Sequence, residues 1–187
     1  MNWETKKWEL PTSVEINGRE YAIRSDFRAV LDVMQIMTDQ DISEQERGLL
    51  TLSIFYVDFD NMYASDFQEA SEYMRWFING GEEQENKRKP KLMDWEQDFP
   101  LIVAPVNRVL GMESRTTDYL HWWTFLSAYM EIGDCLFAQV VSIRRKLKKG
   151  KQLDKSDKEF YRRNKELVDF KVEETAEETD FFDEWIT

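Results

Sequence analysis

The sequence predicts a mostly α-helical fold with a small N-terminal β-hairpin, which is α+β by strict count. Capped segments with apolar residues at helical spacing recur along the chain, whereas only one pair of segments alternates like strands around a tight turn. Of the 187 residues, 42% are hydrophobic and 14% are aromatic, which is enough for a real core. We expect an N-terminal extension at 1–13, a single helical domain at 14–171 and a tail at 172–187.

The predicted hairpin covers residues 14–23. Apolar and polar side chains alternate there, and Asn17-Gly18 suits a type I′ turn, in which both central residues need a positive φ. Because a lone hairpin is marginally stable in water, we expect it to pack on the following helices or on the strands of another subunit.

Three helices are predicted in the first half of the domain from capping residues and apolar spacing. Asp26 caps the first helix, which runs to about Met37, and Ser43 with Glu46 caps the second. Ser65 or Asp66 caps the third, which ends at Asn79-Gly80-Gly81. The second helix is predicted to place Leu49, Leu52 and Tyr56 on one face, with Leu50, Ile54 and Val57 beside them. The charged segment 82–91 is predicted to be a mobile linker.

Four further helices are predicted beyond the linker. The first covers 99–110, with Pro100 in its first turn and a kink at Pro105. The second is opened by Thr117 or Asp118 and carries Trp122 and Trp123. The third has Leu136, Val140, Ile143 and Leu147 in register, and the fourth is a polar helix from Ser156 to about Phe170. Cys135 is expected to be a small buried residue.

Charge is distributed unevenly along the chain. The net charge is −12, which makes general affinity for nucleic acid improbable. Residues 144–165 hold eleven Lys/Arg and three Asp/Glu, a net +8, and residues 166–187 hold one Lys and nine Asp/Glu, a net −8. These two blocks either pair within the chain or between subunits, or are two solvated surfaces.

No constellation of catalytic or ligand-binding residues is found in the sequence. His121 is the only histidine and has aromatic neighbours, so we interpret it as structural, and Asp58, Asp60 and Glu69 lack the glycine that an EF-hand needs. Metal-binding Cys-x-x-Cys and nucleotide-binding glycine motifs are absent. We therefore expect no enzyme activity and no cofactor or metal.

The chain is also expected to act away from membranes. No run of 18 apolar residues occurs, and the first residues lack the apolar core of a signal peptide. A single cysteine fits a reducing cytosol.

Three groups of residues are candidates for partner binding. Trp122 and Trp123 are adjacent, so on a helix one of them enters the core while the other is free to line a groove or a subunit contact, although both also suit a core. Arg144 and Arg145 begin the basic block, which is either a binding surface or a solvated face. The acidic tail carries Phe181, Phe182 and Trp185, which indicates a docking peptide or a tail that packs on its own domain.

An ordered series of motifs resembles one protein family. The motifs are LHWWTFL (120–126), EIGDC (131–135), SIRRK (142–146), GKQLDK (150–155) and EFYRRN (159–164). The series is similar to the tail assembly chaperones of long-tailed bacteriophages of Gram-positive hosts, which are encoded beside the tape-measure gene. The resemblance extends from about Val14 to about Lys171.

The resemblance implies a binding function. Such a chaperone keeps the phage tape-measure protein soluble in the host cytoplasm until tail-tube subunits polymerise around it, and is not expected in the mature virion. Self-association is a further expectation, from the hairpin and the charge blocks. The alternative is a structural virion component, such as a tail-completion or connector protein, and a small enzyme or nuclease is disfavoured.

Overall fold

The computed structural model describes Trp3 and residues 8–39, 41–82 and 91–171. The chain divides into two compact units, one formed by residues 1–84 with 115–127 and the other by residues 85–114 with 128–187. Most of the predicted linker (82–91) and the whole predicted tail (172–187) lie outside the described residues. The predicted domain boundaries therefore stay predictions.

The described residues are mostly helical, which confirms the predicted fold class. In chain order the elements are β1 Ser13–Ile16, β2 Arg19–Ala22, α1 Phe27–Thr38, α2 Glu44–Phe55, α3 Phe67–Ile78, α4 Trp95–Leu110, α5 Trp122–Met130, α6 Leu136–Lys148, α7 Lys155–Arg163 and α8 Lys165–Val168. Short 3₁₀ turns cover Phe59–Asn61, Ala64–Asp66 and Ser114–Thr116.

The hairpin forms as predicted in the first unit. Val14 pairs with Tyr21 and Ile16 pairs with Arg19 in an antiparallel register. Asn17 has φ 49° and Gly18 has φ 75°, as a type I′ turn requires. The hairpin packs on α3 within its own chain, one of the two arrangements expected from the sequence.

The carboxylate of Asp66 ties the hairpin to the start of α3. It is buried and accepts hydrogen bonds from Asn17, Arg19 and Tyr21 of the hairpin, at 3.1, 3.0 and 2.7 Å. Asp66 precedes α3 as predicted but makes no capping bond, because its oxygens are used by the hairpin and by Ser65.

The caps of α1 and α2 are confirmed, and the predicted face of α2 is confirmed in part, because Leu52 and Tyr56 are buried but Leu49 is not. The Asp26 side chain accepts from the Arg28 N–H, and Ser43 with Glu46 forms the full capping box. In α2 the buried residues are Thr51, Leu52 and Phe55, whereas Leu49 and Leu50 are exposed. The apolar residues in the second half of α2 point in several directions, so periodicity did not decide which side would pack against α1 and α3.

Large aromatic side chains form the core of the first unit. Phe27 stacks on Phe125 with ring centroids 4.6 Å apart, and Trp122 stacks on Phe125 at 5.8 Å. Phe55 meets Phe77 edge to face at 5.3 Å. This dense ring packing positions the start of α5 against α1 and α3.

In the second unit, Val140, Ile143 and Val168 form a buried apolar cluster that α6 and α8 share. The inward face of α6 is shifted from the prediction. Its buried residues are Phe137, Val140, Val141, Ile143 and Arg144, whereas Leu136 and Leu147 are exposed. Cys135 is half-buried rather than buried, and its Sγ caps α6 by accepting from the Ala138 N–H.

Several predicted boundaries differ from the structure. The tryptophan helix begins at Trp122 and not after Thr117 or Asp118. Asp154, not Ser156, caps α7, and Asn164 separates it from the short α8. The fourth helix starts at Trp95 under an Asp94 cap, so Pro100 lies beyond the first turn.

Candidate partner-binding surfaces

The two adjacent tryptophans bind the carboxyl end of α3. The Trp122 Nε1–H donates to the Ile78 carbonyl and the Trp123 Nε1–H donates to the Phe77 carbonyl, both at 2.8 Å. Carbonyls in the last turn of a helix have no partner within the helix, so the two indoles satisfy two of them. Two indoles that are adjacent in the sequence thus bind two adjacent carbonyls of α3.

The two indoles differ in exposure. Trp122 has no exposed surface, and Trp123 is half-buried, stacked on Phe77 and edge-on to Trp76, each at 5.6 Å. Gly81 has φ 87°, and a Cβ there would lie 3.0 Å from the Trp123 ring. Trp122 is therefore a core residue, and Trp123 is the one with a surface to offer a partner.

His121 begins the tryptophan helix as a structural residue. Its Nδ1 accepts from the Trp123 backbone N–H at 3.0 Å, and its Nε2 lies 3.0 Å from the Pro11 carbonyl. Because a carbonyl only accepts, these partners favour the neutral ring with the proton on Nε2. Burial lowers the pKa of His121, against the opposing hydrogen bond to Pro11.

Arg144 lies in the interior of the second unit and not on a basic surface. Its guanidinium forms two bonds to the Asp98 carboxylate and donates to the carbonyls of Leu92, Leu167 and Val168. The Phe170 ring lies against the guanidinium, with the Arg144 carbon 4.1 Å from its centroid. Partner binding by Arg144 stays a prediction. The burial of its guanidinium does not support that prediction.

The other predicted contact residues lie in different surroundings. Arg145 is half-buried, and its neighbour Lys146 pairs with Asp157 of α7 at 2.5 Å. Exposed basic residues continue along the chain at Lys149, Lys151, Lys155, Lys158, Arg162, Arg163 and Lys165. Phe181, Phe182 and Trp185 lie outside the described residues. The basic block is thus partly a surface and partly, through Arg144, a core ion pair.

An apolar surface on α2 was missed by sequence reasoning. Leu49, Leu50 and Ile54 lie on the side of α2 away from Phe55, and Val57 follows the end of the helix; we call these four residues the α2 outer face. Leu49 and Leu50 are 42% exposed, Val57 is 45% exposed and Ile54 is half-buried. The available signal was that the apolar residues in the second half of α2 point in several directions, so that one core cannot bury all of them.

The chain segment that carries the α2 outer face is rich in acidic residues, and one arginine outside it, Arg24, donates to the carbonyls of Ser53, Ile54, Tyr56 and Val57. Residues 41–60 hold five carboxylates and one arginine, Arg47. The described residues of the whole first unit hold sixteen Asp/Glu and six Lys/Arg, a net −10.

The described parts of the chain contain no cluster of three or more His, Cys, Asp or Glu side chains placed to hold a metal ion. Among the same residues, no helix has both the length and the apolar character that crossing a membrane requires.

Comparison with known proteins identifies one similarity. The model of the family described as Bacteriophage Gp15 protein matches residues 7–170. No curated protein matches the chain. No solved structure matches it.

Proposed function

Because this chain belongs to the Bacteriophage Gp15 protein family, we propose that it is a tail assembly chaperone of a long-tailed phage of a Gram-positive host. In this proposal it binds the phage tape-measure protein and keeps that protein soluble until the tail tube polymerises around it. The family establishes a phage protein, and the motif series from LHWWTFL (120–126) to EFYRRN (159–164) supports the chaperone role.

The α2 outer face is the observation that carries this proposal. A tape-measure protein is long, helical and amphipathic, so its apolar stripes would aggregate if they met one another. An exposed apolar strip on a strongly acidic helical unit offers those stripes a soluble partner. Many copies along one client chain would add avidity to weak single contacts.

The proposed role is binding and not catalysis. Both ring nitrogens of His121, the only histidine, face internal partners. The one cysteine caps α6 through its sulfur. These are the two side chains on which nucleophilic or acid–base chemistry near neutral pH most often relies, and both have structural tasks here.

Co-expression tests the proposal. The tape-measure protein encoded in the same phage genome is produced alone, with this chain, or with the tail-tube protein of that phage as a matched control. We expect co-expression with this chain, but not with the tail-tube protein, to raise the soluble fraction of the tape-measure protein. We also expect this chain to co-purify with the tape-measure protein. Equal solubility in all three cultures would contradict the proposal.

Location separates the proposed chaperone from a structural virion component. A chaperone acts in the host cytoplasm and is absent from finished particles, whereas a tail-completion or connector protein stays in them. Mass spectrometry of purified phage particles, set against lysate from the same infection, distinguishes the two. Stoichiometric amounts of this chain in particles would favour the structural role.

A further inference from the structure

We infer that the α2 outer face is the client-binding surface and that it takes an amphipathic helix whose apolar stripe is flanked by Lys and Arg. This inference rests on the proposed function, because it assigns the surface and the client chemistry of that function. Its residues are Leu49, Leu50, Ile54 and Val57, as defined above.

The first support is that the α2 outer face is apolar without being core. The opposite side of the helix already packs, through Thr51, Leu52 and Phe55. Leu49 and Leu50 are neighbours in the sequence, and each keeps 42% of its surface exposed. Clustered apolar exposure of this kind is typical of interaction sites.

The second support is the local charge, which selects among possible occupants. Residues 41–60 hold five carboxylates and Arg47, and with Arg24, whose guanidinium binds the carbonyls at the end of α2, the local net charge is −3. A second copy of the chain at a two-fold contact would bring the same acidic rim against itself, which is repulsive. The C-terminal segment 166–187 carries −8 and would be repelled in the same way. A helix with basic flanks is the occupant that this rim attracts.

The size of the face sets the kind of complex. Leu49 and Ile54 are five residues apart, which spans about 8 Å along a helix, so the face engages roughly two turns of a partner helix. Such a contact is small compared with a stable protein–protein interface. The client would therefore be held by several chaperone copies, each released easily when the tail tube forms.

A pair of matched variants tests the surface. Leu49→Gln/Leu50→Gln removes two leucines of the α2 outer face, and Leu136→Gln/Leu147→Gln removes two leucines of α6 with exposures of 44% and 40%. Glutamine is a good helix former, so both variants should keep their helices. Far-UV circular dichroism and urea midpoints establish that each variant is folded as the parent chain is.

Two synthetic peptides serve as probes. Both are twenty-residue helices with leucine at positions i, i+3, i+4 and i+7, one with lysine and the other with glutamate at the flanking positions. In fluorescence anisotropy we expect the lysine peptide to bind the parent chain more tightly than the glutamate peptide, and less tightly as salt increases. Leu49→Gln/Leu50→Gln should weaken the lysine peptide roughly tenfold, and the α6 pair should change it less than about twofold.

Three outcomes of the variant and peptide measurements would overturn the inference. These are equal losses in the two variants, no preference for the lysine peptide, or a fall in oligomeric mass by light scattering for Leu49→Gln/Leu50→Gln, which would make the face a contact between copies. Failure of the proposed function has a different signature. If the parent chain and Leu49→Gln/Leu50→Gln capture the tape-measure protein equally, the function stands and this surface is wrong; if the parent captures none, the function is wrong.

Discussion

Among single residues, Trp122 and Trp123 perform the same hydrogen-bonding task at different depths. Both indoles satisfy carbonyls at the end of α3, but only Trp122 is completely enclosed. The energetic consequences of removing them should therefore differ. Trp122 contributes buried area and a hydrogen bond, whereas part of the Trp123 surface is in water in both the folded and the unfolded chain.

We predict that Trp122→Ala lowers the free energy of unfolding by about 3–5 kcal/mol and that Trp123→Ala lowers it by clearly less. Urea denaturation followed by far-UV circular dichroism measures both without relying on tryptophan fluorescence. Equal losses for the two variants would contradict the assignment of Trp122 as the core residue.

His121 should make stability depend on pH in the neutral to mildly acidic range. Burial lowers its pKa below the ordinary value of about 6.5, so the unfolded chain binds the proton more readily. Its contribution is fully present above about pH 6.5 and is lost as the pH falls through the lower pKa of the folded state. Protonation of Nδ1 would also remove the acceptor of the Trp123 N–H.

His121→Asn is the corresponding test, since asparagine still caps a helix but does not titrate. We predict a smaller change of unfolding free energy between pH 7 and pH 5 than in the parent chain, measured by urea titration at each pH. An unchanged pH dependence would show that His121 does not sense the proton in this range.

Of the connections between elements, the Asp66 carboxylate joins the hairpin to α3. The hydrogen bond from the Tyr21 hydroxyl, with further bonds from Asn17, Ser65 and Arg19, lowers the pKa of Asp66 to about 2 in spite of its burial. The stabilising contribution of this carboxylate is therefore present above about pH 4 and is lost as the pH falls towards 2.

For Asp66→Asn we predict lower stability at pH 7 and a shallower loss of stability between pH 4 and pH 2. Thermal unfolding across that pH range measures both effects, and Asp58→Asn, at an exposed position, is the matched control. The hypothesis fails if the control variant changes the acid dependence as much as Asp66→Asn does.

The Arg144–Asp98 pair connects α6 to α4, and the carbonyls that Arg144 binds connect both to α8. Removing the arginine alone leaves a buried carboxylate without its charged partner, and a change of this kind costs about 3–5 kcal/mol. We predict such a loss for Arg144→Met in urea denaturation, with a smaller loss for Arg145→Met on the same helix. Similar losses for both would contradict the distinction between the buried Arg144 and the half-buried Arg145.

On the scale of the whole molecule, charge is distributed unevenly along the sequence. The first unit carries −10 in its described residues, residues 144–165 carry +8, and residues 166–187 carry −8. Opposite blocks of this size attract one another within a chain or between copies, with the aromatic residues of the tail available to add affinity.

Deleting residues 173–187 tests whether the tail contributes to self-association. We predict a lower oligomeric mass in light scattering, with α1 to α8 retained because α8 ends at Val168. Substitution of Phe181, Phe182 and Trp185 by serine keeps the tail charge and separates the aromatic from the electrostatic contribution. An unchanged mass on deletion would remove the tail from self-association.

The sequence alone determined those features that depend on neighbouring residues. The Asn17-Gly18 turn, the Asp26 cap and the Ser43–Glu46 capping box follow from local backbone chemistry, and all three are confirmed. The helix-dominated fold follows in the same way from repeated apolar spacing. The family resemblance of the motif series was also found from the sequence alone, because comparing sequences requires no knowledge of contacts.

Only the tertiary structure decided which face of a helix is buried and which charges meet. In the sequence, Arg144 is one cation of a basic block. In the structure, it is buried and forms an ion pair with Asp98, which is 46 residues away along the chain. Leu50 reads as a core residue, yet the packing of α2 against α1 and α3 leaves it exposed. The physical reason is that burial depends on partners that are distant in the sequence. Where the apolar residues of a helix point in several directions, as in the second half of α2, the local sequence does not indicate which side will be buried.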